Sequence, residues 1–294
     1  MDALPPSVSI RSSERNSTPK NPKTTAFNSS SPFWPGSLSE HTMRELCRII
    51  PSMLLSKNRL VKGTRYAEYR DAGSAKTTAR AYNAQGADEI FLLDIDASKE
   101  NREPDFETIA AAALECFVPL TVGGGISSLD IADRCFKSGA DKICLTSTAR
   151  SNPALIDGIA HRYGSQATVI GIDVWNEDGT YLLYDHLTGR PTRDLSLEDW
   201  LDQVIDLGAG ELRVMDVSRE GTREGLNTDL YDKVRTRVSV PVILEGGAGT
   251  LSQVAEALSA GVDAVALGTL LVFSDNNIRK IKHYMRHEKL PVRL

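Results

Sequence analysis

From Cys47 onward the chain repeats one pattern eight times: a strand-length apolar burst, then a helix-forming stretch. That alternation limits the fold more than any other feature. The bursts are CRIIPSM (47–53), DEIFLLDI (88–95), PLTVGG (119–124), DKICLT (141–146), TVIGIDV (168–174), ELRVMDV (211–217), PVILEGG (241–247) and DAVALGT (263–269). Helical stretches such as SAKTTARAYNAQG, FETIAAAALECF, SLDIADRCFKSG and TLSQVAEALSAG lie between them. Near-continuous apolar strands must be covered on both faces, and single connecting helices supply that cover in a parallel sheet. Eight such units in about 250 residues match an α/β fold of the (β/α)8 TIM barrel type better than an open, doubly wound sheet. The barrel is expected to span residues 43–294.

The chain also repeats itself at a longer period. LTVGGGISSLDIADRCFKSGADKICLTS (120–147) is similar to VILEGGAGTLSQVAEALSAGVDAVALGT (242–269), and DEIFLLDIDAS (88–98) is echoed by GELRVMDVSRE (210–220). The offset is four strand–helix units, so the barrel is expected to consist of two half-barrel repeats.

Residues 1–42 have a different composition, rich in Ser, Pro, Thr and Asn. Such a segment buries too little apolar surface to offset its ordering entropy, and it is expected to be disordered. Its serines with Arg11 and Arg15 suggest a transit peptide, while Asp2 and Glu14 argue against one. A simpler reading starts translation at Met43, just before the first strand.

The formal net charge is −5, which argues against a general nucleic-acid binder. No apolar run reaches the roughly 20 residues needed to cross a bilayer, and the N-terminus lacks the apolar stretch of a secretory signal. Cys47, Cys116, Cys135 and Cys144 form no CxxC pair and read as small core residues in a reducing cytoplasm. None of His41, His161, His186, His283 and His287 falls at an expected strand C-terminus, and no HExxH, GxSxG or Walker pattern occurs. No metal, cofactor, nucleophilic serine or nucleotide loop is therefore expected.

Active sites of these barrels lie at the C-terminal ends of the strands. Gly123, Gly124 and Gly125 end the third strand, and Gly246, Gly247 and Gly249 end the seventh. Glycine there lets backbone N–H groups approach an anion. Thr146 and Ser147 after the fourth strand complete one grip. Gly268 and Thr269 after the eighth, with Gly221 past the sixth, complete the other. Two equivalent grips predict a substrate with a phosphate at each end, although glycines also serve simple tight turns. Among Asp94, Asp96, Asp173, Asp216 and Glu220, all at strand ends, Asp173 is the best general acid or base. Its apolar flanks in VIGIDV place it deep in the mouth, where burial raises a carboxyl pKa. Lys62, in RLVKGTRY, is expected in the loop after the first strand, there to hold a phosphate or carboxylate or to be solvated. At the other end, Arg48, Glu89, Lys142 and Glu211 stand at the starts of strands one, two, four and six. Their mixed signs suggest a ring of salt bridges closing the barrel bottom, and its desolvation cost suggests a functional role such as a gate.

These motifs resemble one family closely. CRIIPSMLL, LVKGTRY, DAGSAKTTARAYNAQGADEIFLLDIDAS, PLTVGGGI, GADKICLTSTARSNPALIDGIAHRYGSQ, GAGELRVMDVSREGT and PVILEGGAG track the cyclase subunit of imidazole glycerol phosphate synthase from about Met43 to Leu294. The resemblance implies a glutaminase partner on the barrel bottom, forming a heterodimer and releasing ammonia. The ammonia passes a charged gate, matched in full by Arg48, Glu89, Lys142 and Glu211, and reaches a bisphosphorylated substrate at the top. There the substrate is cleaved and cyclised.

The chain departs from the family at telling positions. The family has an essential aspartate on the first strand, in a pattern like IIPCLDV, and here Leu54 stands in its place; Asp173 matches the second essential aspartate. Thr146 replaces an asparagine, Met215 a threonine and Glu245 a serine, the last adding negative charge near the second grip. Together with DIDASKENREP (94–104), these changes resemble a paralogous branch associated with bacterial surface polysaccharides. That branch implies a glutaminase and an ATP-pyrophosphatase-type amidotransferase as partners in converting a sugar acetamido group to an acetamidino group. A true cyclase of histidine synthesis and a non-catalytic ammonia-conducting scaffold are the alternatives.

Overall fold

Backbone hydrogen bonding runs around a closed circuit of eight parallel strands. The computed structural model describes residues 46–294, so the expectation for residues 1–42 lies outside the described residues. The first half comprises β1 (Arg48–Ser56), β2 (Arg59–Thr64), β3 (Ala67–Gly73), α1 (Ala75–Ala84), β4 (Ile90–Asp94), α2 (Phe106–Ala113), β5 (Leu120–Gly123), α3 (Leu129–Lys137), β6 (Lys142–Leu145), α4 (Ser147–Ser151) and α5 (Ala154–Tyr163). The second comprises β7 (Thr168–Glu177), β8 (Thr180–Asp185), β9 (Arg190–Pro191), α6 (Leu197–Asp206), β10 (Glu211–Asp216), α7 (Thr228–Arg235), β11 (Val242–Glu245), α8 (Leu251–Ser259), β12 (Ala264–Leu267), α9 (Thr269–Val272) and α10 (Ile278–His287). The barrel order is β1, β4, β5, β6, β7, β10, β11, β12 and back to β1, every pair parallel. This is the TIM barrel expected from the eight bursts.

Helix starts are set locally by side-chain caps. Ser74, Asp105, Ser128, Ser196, Asn227, Thr250 and Asn277 each accept a hydrogen bond from a first-turn N–H. Thr250 and Gln253 form a reciprocal capping box on α8.

Strand side chains alternate, so each barrel strand feeds two cores. On β1, Ile49, Met53 and Leu55 join the large core between sheet and helices. Ile50 turns inward to meet Phe91, Ile243, Ala264 and Ala266, with Leu93 packed against them. These inward side chains form a small second core within the barrel.

Two hairpins depart from the expected pattern, and both rise from strand C-terminal ends. β1 runs on to Ser56 and turns through Lys57 and Asn58, both at positive φ, into β2 and β3. Lys62 was expected in a loop; it lies on β2, because pairing of Leu54 with Val61 extends the sheet through this segment. β7 likewise turns at Asp178–Gly179 into β8, a dipeptide whose easy positive φ suits a tight hairpin. The hairpins wall the mouth of the barrel.

Candidate active site at the barrel mouth

The inward parity of β10 sets the site. Glu211, Arg213 and Met215 all face the barrel axis, at its bottom, middle and top. Glu211 belongs to a closed ring at the bottom. Arg48 donates to Glu89 at 3.0 Å and to Glu211, while Lys142 donates to both carboxylates at 2.8 Å. Thr121 Oγ1 donates a further bond of 2.5 Å to Glu89. The four charges named from sequence therefore meet in one ring. Burial opposes the charge on Arg48 and Lys142, but the two glutamates outweigh it and raise both pKa values. Below the ring lies a cleft of about 560 Å³ lined in part by Leu46, Arg48, Lys142 and Glu211.

At mid-height the Arg213 side chain is 4% exposed, and its guanidinium lies between two carboxylates. Its Nε donates to Glu245 at 2.6 Å, and its Nη1 reaches Asp173 at 3.4 Å. Burial opposes this charge, yet Glu245, Tyr66 and Asp173 hold the Arg213 pKa well above its ordinary value. The same Arg213 moderates Cys144, whose thiol burial pushes up to about 12. Glu245, expected to add negative charge near the second grip, is thus neutralised by Arg213.

Asp173, at the top of β7, accepts a hydrogen bond of 3.0 Å from the Tyr66 hydroxyl. Burial raises its pKa; Arg213, His186 and the Tyr66 hydrogen bond pull it part of the way back. Tyr66 sits at positive φ in the β2–β3 turn, and its backbone N–H donates to Glu220 at 3.3 Å. Its ring meets Tyr184 and His186 edge-on, at 5.9 and 5.3 Å. The two hairpins therefore close over Asp173 through aromatic contacts. Leu54 lines the same cavity as Asp173, so an apolar side chain faces the acid across the mouth.

The remaining strand-end acids serve the loops. Asp94 takes a bidentate pair from Arg102 at 2.7 and 2.9 Å, and accepts from the N–H groups of Asp96 and Ala97. It thereby folds the DIDASKENREP loop back on itself. Asp216 does the same work in the second half, bound to Asn227 at 2.6 Å and to Ser218. Asp96 accepts from Ser56 at 2.5 Å. Glu220 is buried and paired with Lys62, also buried.

In each cluster two glycines, Gly124 and Gly125 and then Gly246 and Gly247, adopt backbone conformations that L residues avoid. Gly124 has φ +96°, and a Cβ there would stand 2.0 Å from the Asp94 carbonyl oxygen; at Gly247 the values are +95° and 2.2 Å from the Gly225 carbonyl oxygen. The first cluster, with Thr146, Ser147, Ser98, His186 and Arg213, lines a cavity of about 80 Å³. This opens toward a second cleft of about 300 Å³, which shares Thr146, Ser147, Asp173 and His186 and extends past Tyr184 to Trp200. The second cluster, with Lys62, Gly221, Gly268 and Thr269, surrounds a space of about 10 Å³.

Three mouth residues escape a reading of the sequence as strands and loops: Tyr66, Arg213 and His186. His186 follows β8, and its Nε2 lies 3.0 Å from the Ile95 carbonyl oxygen. No histidine was expected at the mouth; the β7–β8 hairpin brings this one there. Among the described residues, no group of three or more His, Cys, Asp or Glu side chains is placed to hold a metal ion. Among the same residues, no helix is long and apolar enough to cross a membrane.

A family profile described as "Histidine biosynthesis protein" matches residues 48–277. The imidazole glycerol phosphate synthase subunit HisF of Chlorobium limicola is 42% identical over 248 residues, covering 84% of this chain and 98% of that protein. The HisF of Chlorobaculum parvum is 42% identical with the same coverage. The HisF of an Exiguobacterium species is 39% identical over 246 residues, or 84% and 96% of the two chains.

Proposed function

The chain belongs to the histidine biosynthesis protein family, with HisF subunits among its relatives, and from that footing we propose that it is the ammonia-using subunit of a glutamine amidotransferase complex. Ammonia enters from a glutaminase docked as a heterodimer partner at the barrel bottom. The ring of Arg48, Glu89, Lys142 and Glu211 is the gate it passes. A phosphorylated small molecule lies at the mouth. Gly124, Gly125, Thr146 and Ser147 hold its phosphate, while Lys62, Gly221, Gly246, Gly247, Gly268 and Thr269 contact its other end. Asp173 is the proton-transfer residue. The protein acts in the cytoplasm, and the barrel occupies residues 43–294 behind an N-terminal tail.

The favoured role is that of the paralogous branch, in amidation of a surface-polysaccharide sugar. There the ATP-pyrophosphatase-type amidotransferase, a further partner, transfers AMP from ATP to the acetamido oxygen with release of pyrophosphate, and ammonia then displaces AMP, which carries that oxygen away. The observation that carries this reading is Leu54. The cleavage and cyclisation of histidine synthesis needs proton transfer at two places. Here a leucine lines the cavity with Asp173, so only one of the two proton-transfer groups is present. Deleting the gene in the producing strain is expected to leave the acetamido sugar in the polysaccharide; unchanged acetamidino content refutes the role. Arg48→Ala and Glu211→Ala should alter glutamine-dependent transfer without unfolding the barrel, and unchanged transfer in both refutes the gate.

The second reading is a true cyclase of histidine synthesis. The 42% identity to HisF proteins and the retained Asp173 favour it. It requires turnover of the histidine-pathway bisphosphate despite Leu54.

A further inference from the structure

The half-barrel repeat allows the two grips to be compared position by position. Where the first half has Gly123 and Ser98, the second has Glu245 and Glu220. In the first grip the Ser98 hydroxyl accepts the Gly125 N–H at 3.1 Å, and the adjoining cavity is about 80 Å³. In the second grip Glu220 and Glu245 are 2% and 3% exposed, and the space they line is about 10 Å³. That is roughly the volume one water molecule requires. Lys62, the cation of this grip, is already paired with Glu220. The Thr269 hydroxyl, 8% exposed, lines this space and has no hydrogen-bond partner.

We infer that the second grip binds an uncharged hydroxyl-bearing end of the ligand, so that the ligand carries a single phosphate, held in the first grip. A phosphate there would exceed the space and meet no uncommitted cation, because Lys62 and Arg213 are already paired with Glu220 and Glu245. A ligand hydroxyl fits the one-atom space and satisfies the Thr269 hydroxyl, which would otherwise be buried at a cost. The ligand class is a monophosphorylated sugar or polyol. The body of such a ligand extends from Thr146 and Ser147 into the cleft beside Tyr184 and Trp200. The inference rests on the proposal above that the substrate is phosphorylated.

Amide NMR of the full chain, labelled at glycine, serine and threonine, tests it with inorganic phosphate as the probe. Saturable shifts are expected at Gly125 and Ser147 and none at Gly247 and Thr269, with Ser147→Glu abolishing the response. Glu245→Ser, and Glu220→Gln combined with it, should bring a phosphate response to Gly247 and Thr269. The single variant keeps the Lys62–Glu220 pair and guards against a misfolded double variant. Sorbitol 6-phosphate should shift Thr269 as well as Ser147, and its bisphosphate should bind about tenfold more weakly or worse, the effect of one charged group left without room or a free cation. Phosphate shifts at both clusters of the unmodified protein overturn the inference and leave the phosphorylated-substrate reading standing. Shifts at neither overturn both.

Discussion

Replacing Arg213 with leucine should destabilise the barrel more than any surface substitution, and by a pH-dependent amount. Arg213 is 4% exposed by side chain, and its two partners Asp173 and Glu245 are 5% and 4% exposed. Removing the cation leaves two carboxylates facing each other in the barrel interior. Breaking a buried ion pair from one side costs about 3–5 kcal/mol, because the remaining charge is desolvated and unpaired. For a chain of this size that corresponds to a fall in thermal midpoint on the order of 10 °C. The pH dependence follows from Asp173. Burial already raises its pKa, and Arg213 is the main group lowering it again. In Arg213→Leu the Asp173 pKa rises further. A carboxyl whose folded pKa exceeds its unfolded value penalises the folded state above the folded pKa. That penalty disappears as pH falls toward the unfolded value near ~3.9. The deficit should therefore be largest at neutral pH and shrink under acid. Combining Arg213→Leu with Glu245→Ser removes one carboxylate too and should recover part of the loss, the pH-dependent part owed to Asp173 remaining. Urea unfolding followed by circular dichroism at neutral and mildly acidic pH measures all of this, provided the slope stays constant between variants. A loss under about 1 kcal/mol, or a deficit that does not change with pH, would refute the buried-triad argument.

Two further perturbations probe the mouth. Gly124→Ala forces an L residue to φ +96° with its Cβ 2.0 Å from the Asp94 carbonyl oxygen, and should cost at least about 2 kcal/mol in the same unfolding assay; a neutral effect would mean this turn relaxes freely. Tyr66→Phe removes the hydroxyl that donates to Asp173 at 3.0 Å. It should destabilise by about 1 kcal/mol and raise the Asp173 pKa, read by carboxyl carbon NMR. A lowered pKa would contradict the assigned direction of that bond.

The eight barrel strands were legible because apolar runs between helical stretches admit few arrangements. Each observed strand lies within its burst or extends it by a few residues, as β1 and β7 do. The bottom ring was legible because Arg48, Lys142 and Glu211 open their strands and Glu89 stands just before its own. Arg213 carries a signal of its own: two residues after Glu211, it shares that residue's inward parity and is flanked by the apolar Leu212 and Val214. A charge at such a position must find partners inside the barrel, and Glu245 was already conspicuous in VILEGG. The β2–β3 and β7–β8 hairpins were harder. Their segments are polar and turn-rich, and they become strands by adding to edges that project beyond the barrel. Tyr66 and His186 depend on those hairpins, so their meeting over Asp173 is a tertiary outcome that no local pattern encodes. The two grips looked equivalent as glycine clusters. They differ in depth and charge because Glu220 and Glu245 come from elsewhere in the chain or just before the cluster.

The decisive measurement is turnover of the histidine-pathway bisphosphate by the purified chain, with ammonium supplied directly so that no glutaminase is needed. With Leu54 facing Asp173, and Asp173 held by Arg213 and Tyr66, no cyclised product should form. Appreciable formation of imidazole glycerol phosphate would contradict this account and make the chain a working cyclase of histidine synthesis.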